Sequence, residues 1–154
     1  MPLTIHPVSP RDPRAVALLE ESHALMAALF PAEENFALDI DALEAPGIVF
    51  FGAENDGQLL GCAALMRCDG YAEIKSMFVA SEARGIGVAR RMLVHLEDVA
   101  RAEGIGVLRL ETGHKLPAAV QLYEASGFVQ TGPFGAYPEN PSSVFYEKSL
   151  GAGR

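Results

Sequence analysis

The chain has 154 residues, of which 49% are hydrophobic and 21% are charged, and these values fit one globular domain spanning residues 1–154. A net charge of −8 argues against a nucleic-acid partner, and apolar runs too short to cross a bilayer argue against a membrane protein. The N-terminal sequence does not resemble a signal peptide, so we expect a cytoplasmic protein. Neither the two cysteines nor the four histidines have metal-ligand spacing, so we expect no metal site.

The N-terminal half begins with a short apolar stretch, Leu3 to Val8. A helical pattern starts after Ser9-Pro10 and stops at Pro31, and the acidic segment 32–45 predicts a second, shorter helix. Strand patterns follow, with a hairpin turn predicted at Asn55-Asp56-Gly57. These strand patterns lie at 48–54, 58–67 and 71–79.

The C-terminal half carries two further helical patterns. One runs from Val88 to Gly104, and the other begins near Pro117 and ends at Gly127. Strand patterns lie at 107–112, 128–131 and 144–149. The predicted order is therefore β-α-α-β-β-β-α-β-α-β-β. Hairpins combined with a strand–helix–strand crossover predict an α/β (α+β) fold, with a mixed, mostly antiparallel twisted sheet and helices on both faces.

The helix at Val88 opens on Arg84-Gly85-Ile86-Gly87, although glycine costs about 1 kcal/mol relative to alanine inside a helix. Unpaired N–H groups and the positive helix end make such a turn an anion-binding device, and glycine lets the anion approach the backbone. A P-loop is excluded because no Lys-Ser/Thr pair follows the last glycine. A dinucleotide-binding motif is excluded because Arg90 stands where a small residue is needed.

The remaining pattern is Arg84-x-x-Gly87-x-Ala89, preceded by MFVASEA and followed by RRML. It resembles the pyrophosphate-binding motif of the GCN5-related N-acetyltransferases (GNAT). A second stretch, AVQLYEASGF at 119–128, resembles that superfamily's Ala-x-x-Leu-Tyr-x-x-x-Gly-Phe motif, and the element order agrees from end to end. Within the superfamily, AEIKSMFV and LRLETG look like those of small stand-alone bacterial enzymes. The resemblance implies the acyl-CoA N-acyltransferase fold and acetyl-CoA (coenzyme A) as the cofactor.

The same resemblance implies which residues bind the cofactor. The backbone N–H groups of the turn and the first helical residues would hold the pyrophosphate, and Arg84 would add charge. The end of the preceding strand would pair its backbone with the pantetheine arm. The implied cofactor-binding residues are Met77, Phe78, Val79, Arg84, Gly85, Ile86, Gly87, Val88, Ala89 and Arg90. The superfamily often has an asparagine where this chain has Leu116, so Thr112, His114 or Lys115 would have to replace that polar contact.

Transfer to an amine needs a base, because an alkyl amine with a pKa near ~10.4 is mostly protonated at neutral pH. Glu73 is the leading candidate, since it lies eleven residues before Arg84, as the catalytic glutamate does in the histone-acetylating branch. Alternatively, Glu73 has no catalytic role and is an exposed strand carboxylate paired with Lys75. Glu111, His114 or a water chain are further candidates for the base. Tyr123 matches the superfamily's tyrosine that protonates the departing thiolate.

The resemblance also implies an acceptor site between the early helices and the final strands. Glu111, Phe134 and Tyr137 are predicted to contact the acceptor, and the acidic stretch 33–44 favours a cationic amine unless those acids are merely solvated. We expect transfer to a primary amine of a small molecule or peptide by direct attack in a ternary complex. A non-catalytic acyl-CoA sensor, a hydroxyl acceptor and a longer acyl chain remain alternatives. A homodimer is implied by resemblance alone.

Overall fold

A computed structural model describes residues 2–151; the terminal positions 1 and 152–154 of the predicted domain lie outside the described residues. Seven strands within this range form one sheet in the order β1-β2-β3-β4-β5-β7-β6. Among the described strand pairs, only β4–β5 is parallel, which confirms the mixed, mostly antiparallel sheet. The elements are β1 Thr4–Pro7, α1 Pro13–Leu29, α2 Ile40–Leu43, β2 Ile48–Asn55, β3 Gln58–Arg67, β4 Ala72–Val79, α3 Val88–Ala102, β5 Val107–Gly113, α4 Pro117–Ala125, β6 Val129–Thr131 and β7 Ser143–Ser149.

The predicted helix over 32–45 is wrong across its middle. The structure has a single 3-10 turn at Ala32–Glu34 and then only the four residues of α2. The Asn35 side chain accepts the N–H of Ala37, and Asp39 caps α2 by accepting the N–H of Ala42. Such local side-chain bonds offer the backbone an alternative to a continuous helix. This irregular segment brings Phe36 to the sheet.

Successive residues of β3 point to opposite faces of the sheet and enter two separate apolar cores. Leu60, Cys62 and Ala64 pack with residues of α1 and α2. Ala63 and Leu65 pack with residues of α3 and α4. Helices therefore cover both faces, as predicted. Among the described helices, none combines the length and apolar character that a membrane span requires.

The strands β4 and β5 separate part of the way along the sheet. Their parallel pairing covers only three residue pairs, ending at Ile74 and Leu110. Just beyond, β4 contains a bulge: Lys75 pairs with Ala64 and Phe78 with Cys62, so β4 takes three steps where β3 takes two. Ser76, inside the bulge, has a φ of +55°. A bulge bends its strand, and here it lies where β4 leaves β5.

Candidate active site

A cavity of about 120 Å³ lies where β4 and β5 separate. The two strands, α1, α4 and the segment before α2 all contribute to its wall. The polar side chains of the lining are Ser22, His23, Lys75, Ser76, Glu111 and Thr112. The remaining lining residues are Met26, Phe36, Ala37, Ile74, Met77, Leu116, Ala119 and Tyr123. The lining is thus about equally polar and apolar, and its polar groups could orient a ligand and move a proton.

The glycine turn before α3 has the geometry of an anion cradle. Gly85 and Gly87 have φ values of +82° and +87°, and Gly87 is the N-cap of α3. Apart from the adjoining residues of the chain, no described atom lies within 4 Å of a Cβ built on either glycine. The N–H of Arg91 makes the first helical bond, 3.1 Å to the carbonyl of Gly87, so the amides just before it have no partner in the helix. This open, positively polarised backbone fits a pyrophosphate.

Most side chains of this turn point into solvent or into the core and do not enclose the anion cradle. Ile86 is 54% exposed, Arg90 is exposed, Ala89 is half-buried and Val88 packs into the core. The Arg84 guanidinium donates to the carbonyl of Val79 at 3.3 Å, and it lies 5.4 Å from the centre of the Phe78 ring. Arg84 therefore adds positive charge at the end of β4.

The end of β4 offers backbone groups to a ligand. Its pairing with β5 stops at Ile74, while β3 still pairs with its other edge at Phe78 and Val79. Met77 and Val79 are half-buried, and the Phe78 side chain is in the core. An extended chain such as a pantetheine arm could therefore pair with the edge of β4 that β5 leaves.

Tyr123, on α4, lines the cavity and is only 6% exposed. Its hydroxyl donates to the Met77 sulfur at 3.6 Å, and its ring packs edge-on against Phe128. Burial raises the pKa of the Tyr123 hydroxyl well above its usual value. The hydroxyl therefore keeps its proton at neutral pH and can act as a donor inside the cavity.

Glu73 is 3% exposed, and the interpretation as an exposed strand carboxylate is wrong. The Tyr137 hydroxyl donates to Glu73 Oε2, and Lys75 Nζ lies 3.4 Å from the same oxygen. The pairing of Glu73 with Lys75 is therefore present, but it is buried. Glu73 is not among the described residues that line the cavity, whereas Lys75 is. The sequence indicated Lys75 only as a possible partner of Glu73 and did not predict its place in the cavity wall.

Glu111 lines the cavity from β5. Its Oε2 accepts the Ser143 hydroxyl at 2.6 Å. Burial is the largest influence on this carboxyl and raises its pKa, against the opposing effects of Ser143 and Lys75. His23, on α1, also lines the cavity, although no motif in the sequence marks it.

The residues suggested in place of the missing asparagine separate into two groups. Thr112 is buried and lines the cavity. Leu116, which stands at the position of the asparagine, also lines the cavity. His114 is exposed, with its Nδ1 3.2 Å from the Ser142 carbonyl, and Lys115 donates to the Leu29 carbonyl at 3.3 Å. Within residues 2–151, no group of three or more acidic, histidine or cysteine side chains could hold a metal ion.

The residues predicted to contact the acceptor do not all line the cavity. Phe134 and Tyr137 are outside the described lining and form an aromatic layer with Phe36 and Phe145. From the acidic stretch 33–44, only Phe36 and Ala37 are in that lining, and neither is acidic. Two of its acids, Asp41 and Glu44, instead pair with Arg11 at the surface. The charge of this stretch is therefore directed mainly toward solvent.

The open glycine turn before α3 fits an anion, and it follows the strand β4, whose edge is unpaired after Ile74. The cavity beside that edge contains the buried phenol of Tyr123, on α4. This arrangement suits an enzyme that takes an acyl group from a coenzyme A thioester. The chain matches the family described as Acetyltransferase (GNAT) family over residues 15–128, and it belongs to that family.

Known relatives agree with this assignment. The chain is 42% identical over 150 residues to the IAA acetyltransferase of Azospirillum brasilense, covering 96% of this chain and 98% of the relative. It is 29% identical to a Klebsiella pneumoniae protein assigned as an acyl-CoA N-acyltransferase, with a TM-score of 0.84 and coverage of 96% and 97%. The PaiA N-acetyltransferase of Thermoplasma acidophilum, solved in complex with coenzyme A, shares the fold at 19% identity, with a TM-score of 0.76 and coverage of 97% and 99%. The protein is therefore an acetyl-CoA-dependent acetyltransferase.

Proposed function

We propose that this enzyme acetylates a primary amine of a small molecule or peptide by direct attack in a ternary complex. The observation that carries the proposal is that Glu111 and Tyr123 face one cavity where β4 and β5 separate. One side chain can accept a proton and the other can donate one. Direct transfer of an acetyl group to an amine requires both functions.

The cofactor would be held mainly by backbone. The amides from Gly85 to Arg90 would bind the pyrophosphate, with Arg84 adding charge, and the free edge of Met77–Val79 would pair with the pantetheine arm. Acetyl-CoA supplies the acetyl group as a thioester. An N–H of the bulged segment of β4 would polarise the thioester carbonyl.

We assign the role of general base to Glu111 rather than Glu73. Glu111 lines the cavity, whereas Glu73 lies behind Lys75 and accepts the Tyr137 hydroxyl. The raised pKa of Glu111 makes its carboxylate a better proton acceptor than an ordinary glutamate. An acceptor that enters as an ammonium would pair with this carboxylate and lose its proton to it.

Tyr123 would donate a proton to the departing thiolate of coenzyme A. Its hydroxyl already donates to a sulfur, that of Met77, and it keeps its proton because burial raises its pKa. A thiolate leaving from this part of the cavity would meet a phenol donor. Phe134 and Tyr137 would support the acceptor wall through Phe36, which the Tyr137 ring contacts edge-on at 5.3 Å between centroids.

The size of the cavity favours an acceptor that inserts a narrow amine-bearing arm. About 120 Å³ corresponds to roughly four water volumes. The name of the Azospirillum relative, IAA acetyltransferase, supports a small molecule. The cytoplasmic location, the homodimer and the extent of the domain over 1–154 stay predictions from the sequence.

The test is thiol release from acetyl-CoA across a panel of primary amines, including cationic and neutral members and matched alcohols. We expect release with a subset of the amines, none with the alcohols, and a large loss in Tyr123→Phe. Coenzyme A binding measured by calorimetry serves as the control. Tight binding without thiol release for any amine would contradict the proposal.

A further inference from the structure

Lys75 is a lysine whose side chain lines the cavity of an enzyme that acetylates amines. It is 9% exposed, and it immediately precedes the bulge residue Ser76 on β4. Ser76 and Met77, which line the same cavity, belong to the segment that we propose polarises the thioester. The proposed reaction does not use the Lys75 amine.

Hydrogen bonds give the Lys75 ammonium a route for losing a proton. Lys75 Nζ donates to the Tyr137 hydroxyl, and that hydroxyl donates to Glu73 Oε2. The direct distance from Nζ to the same carboxylate oxygen is 3.4 Å. Nζ also donates to the Phe36 carbonyl at 3.4 Å. A proton can pass from nitrogen to carboxylate through one phenol, which would leave a neutral amine and a neutral acid in a buried place.

We propose that Lys75 is a self-acetylation site, an inference that rests on the proposed placement of acetyl-CoA. The Lys75 ammonium gives one proton to Glu73 through Tyr137. The neutral Nζ then attacks the thioester carbonyl carbon, so that an N–C bond forms and the C–S bond breaks. The sulfur leaves with the second proton as coenzyme A thiol. The product is an amide, which does not pass its acetyl group on to an amine.

The modification would restrain the enzyme when acceptor is scarce. Acetylation removes the positive charge of the ion pair with Glu73 and adds an acetyl group to a cavity of only about 120 Å³. The acceptor amine and the acetylated lysine would compete for this space. Bound acceptor should therefore protect Lys75, and acetylated enzyme should turn over acceptor more slowly.

The small number of lysines makes the site easy to distinguish. The chain has three, Lys75, Lys115 and Lys148. Lys115 is exposed, so its acetylation measures the non-enzymatic reaction of a lysine with acetyl-CoA in solution. Lys148 bonds to both carboxylate oxygens of Glu97 at 3.1 Å and to the Ser126 carbonyl at 2.7 Å. Selective modification of Lys75 over Lys115 therefore cannot be explained by solvent exposure.

The test is incubation of the full chain with acetyl-CoA and no acceptor, followed by intact mass and peptide mapping. We expect one acetyl group on Lys75, formed at a rate per molecule that does not depend on protein concentration. Tyr137→Phe should slow it by at least about tenfold. At an acetyl-CoA concentration below the wild-type Kd, Gly87→Val should slow it by at least about tenfold while leaving Lys115 acetylation unchanged. Lys75→Arg should carry no acetyl group at position 75, and its activity should not fall during preincubation with acetyl-CoA alone.

Acetylation of Lys115 with Lys75 unmodified would overturn the inference, as would Lys75 acetylation at an undiminished rate in Gly87→Val. The proposed function is tested separately, by thiol release with amines, on enzyme that has not been preincubated with acetyl-CoA. An enzyme that turns over an amine, but leaves Lys75 unmodified after incubation with acetyl-CoA alone, would overturn this inference alone. Acetylation of Lys75 without turnover of any amine would contradict the proposed function alone.

Discussion

The Tyr123 hydroxyl donates to the Met77 sulfur across 3.6 Å, and this contact joins α4 to the end of β4. Met77 follows the bulge residue Ser76, and both line the cavity together with Tyr123. The two sequence motifs, far apart along the chain, therefore meet at one point. The phenol lies where a leaving thiolate would need a proton.

Tyr123→Phe should lower kcat by about 10²-fold and leave coenzyme A affinity unchanged. The substitution removes only the hydroxyl, so the ring keeps its edge-on contact with Phe128. Tyr146→Phe is the matched control, because Tyr146 is also buried but lies outside the cavity lining, where its hydroxyl donates to Glu124 at 2.7 Å. Thiol release and calorimetry measure the two quantities. Equal losses in both variants would remove Tyr123 from the mechanism.

Gly87→Val should weaken coenzyme A binding by at least about tenfold while leaving the protein folded. A Cβ at this φ of +87° strains the backbone by about 1–3 kcal/mol and stands where a phosphate would approach. Gly104→Val, near the other end of α3, is the control, since its φ of +77° and open surroundings are comparable. If both variants lose stability equally but neither loses affinity, the turn has no role in binding.

The order of elements follows from local features that can be read along the chain. Two-residue turns such as Asp56-Gly57, with φ values of +50° and +77°, depend on neighbouring residues alone. The helix predicted over 32–45 was wrong because the Asn35 side chain bonds to the N–H of Ala37 and competes with helical hydrogen bonding. Local periodicity does not reveal that competition.

The surroundings of Glu73 could not be predicted from its own neighbourhood. Its burial depends on Tyr137, 64 residues later, and on the loop that carries that tyrosine over the sheet. The sequence showed two charged residues, Glu73 and Lys75, on one strand face, which is compatible with either an exposed or a buried pair. Only the packing of Phe36 and Tyr137 against them decides which.

Glu111→Gln should lower kcat/KM by about 10²-fold and should remove the acidic limb of its pH profile. The base must be ionised, so wild-type activity should fall as the pH drops through the Glu111 pKa, which burial raises above the ordinary value. Activity should therefore be lost at a higher pH than an ordinary glutamate would give. Rates with a good amine, measured across the pH range, provide the profile.

Glu73→Gln is the control for that experiment, because it changes the carboxylate that Tyr137 and Lys75 cover. It should keep the acidic limb but move it to lower pH, because the negative charge of Glu73 is one of the causes that raise the Glu111 pKa. Loss of the limb in Glu73→Gln and its retention in Glu111→Gln would return the role of base to Glu73.

Gly113→Ala should destabilise the protein by about 1–3 kcal/mol, because a Cβ there would lie 2.0 Å from Phe30 Cζ. Gly106→Ala is the control: apart from the adjoining residues, no described atom lies within 4 Å of its Cβ, so it should be neutral or slightly stabilising. Urea unfolding gives both values. Phe30 follows α1, whose His23 and Met26 line the cavity, so displacing its ring should also raise the KM for the acceptor. A large loss of stability with an unchanged KM would mean that the end of α1 supports the fold without shaping the acceptor site.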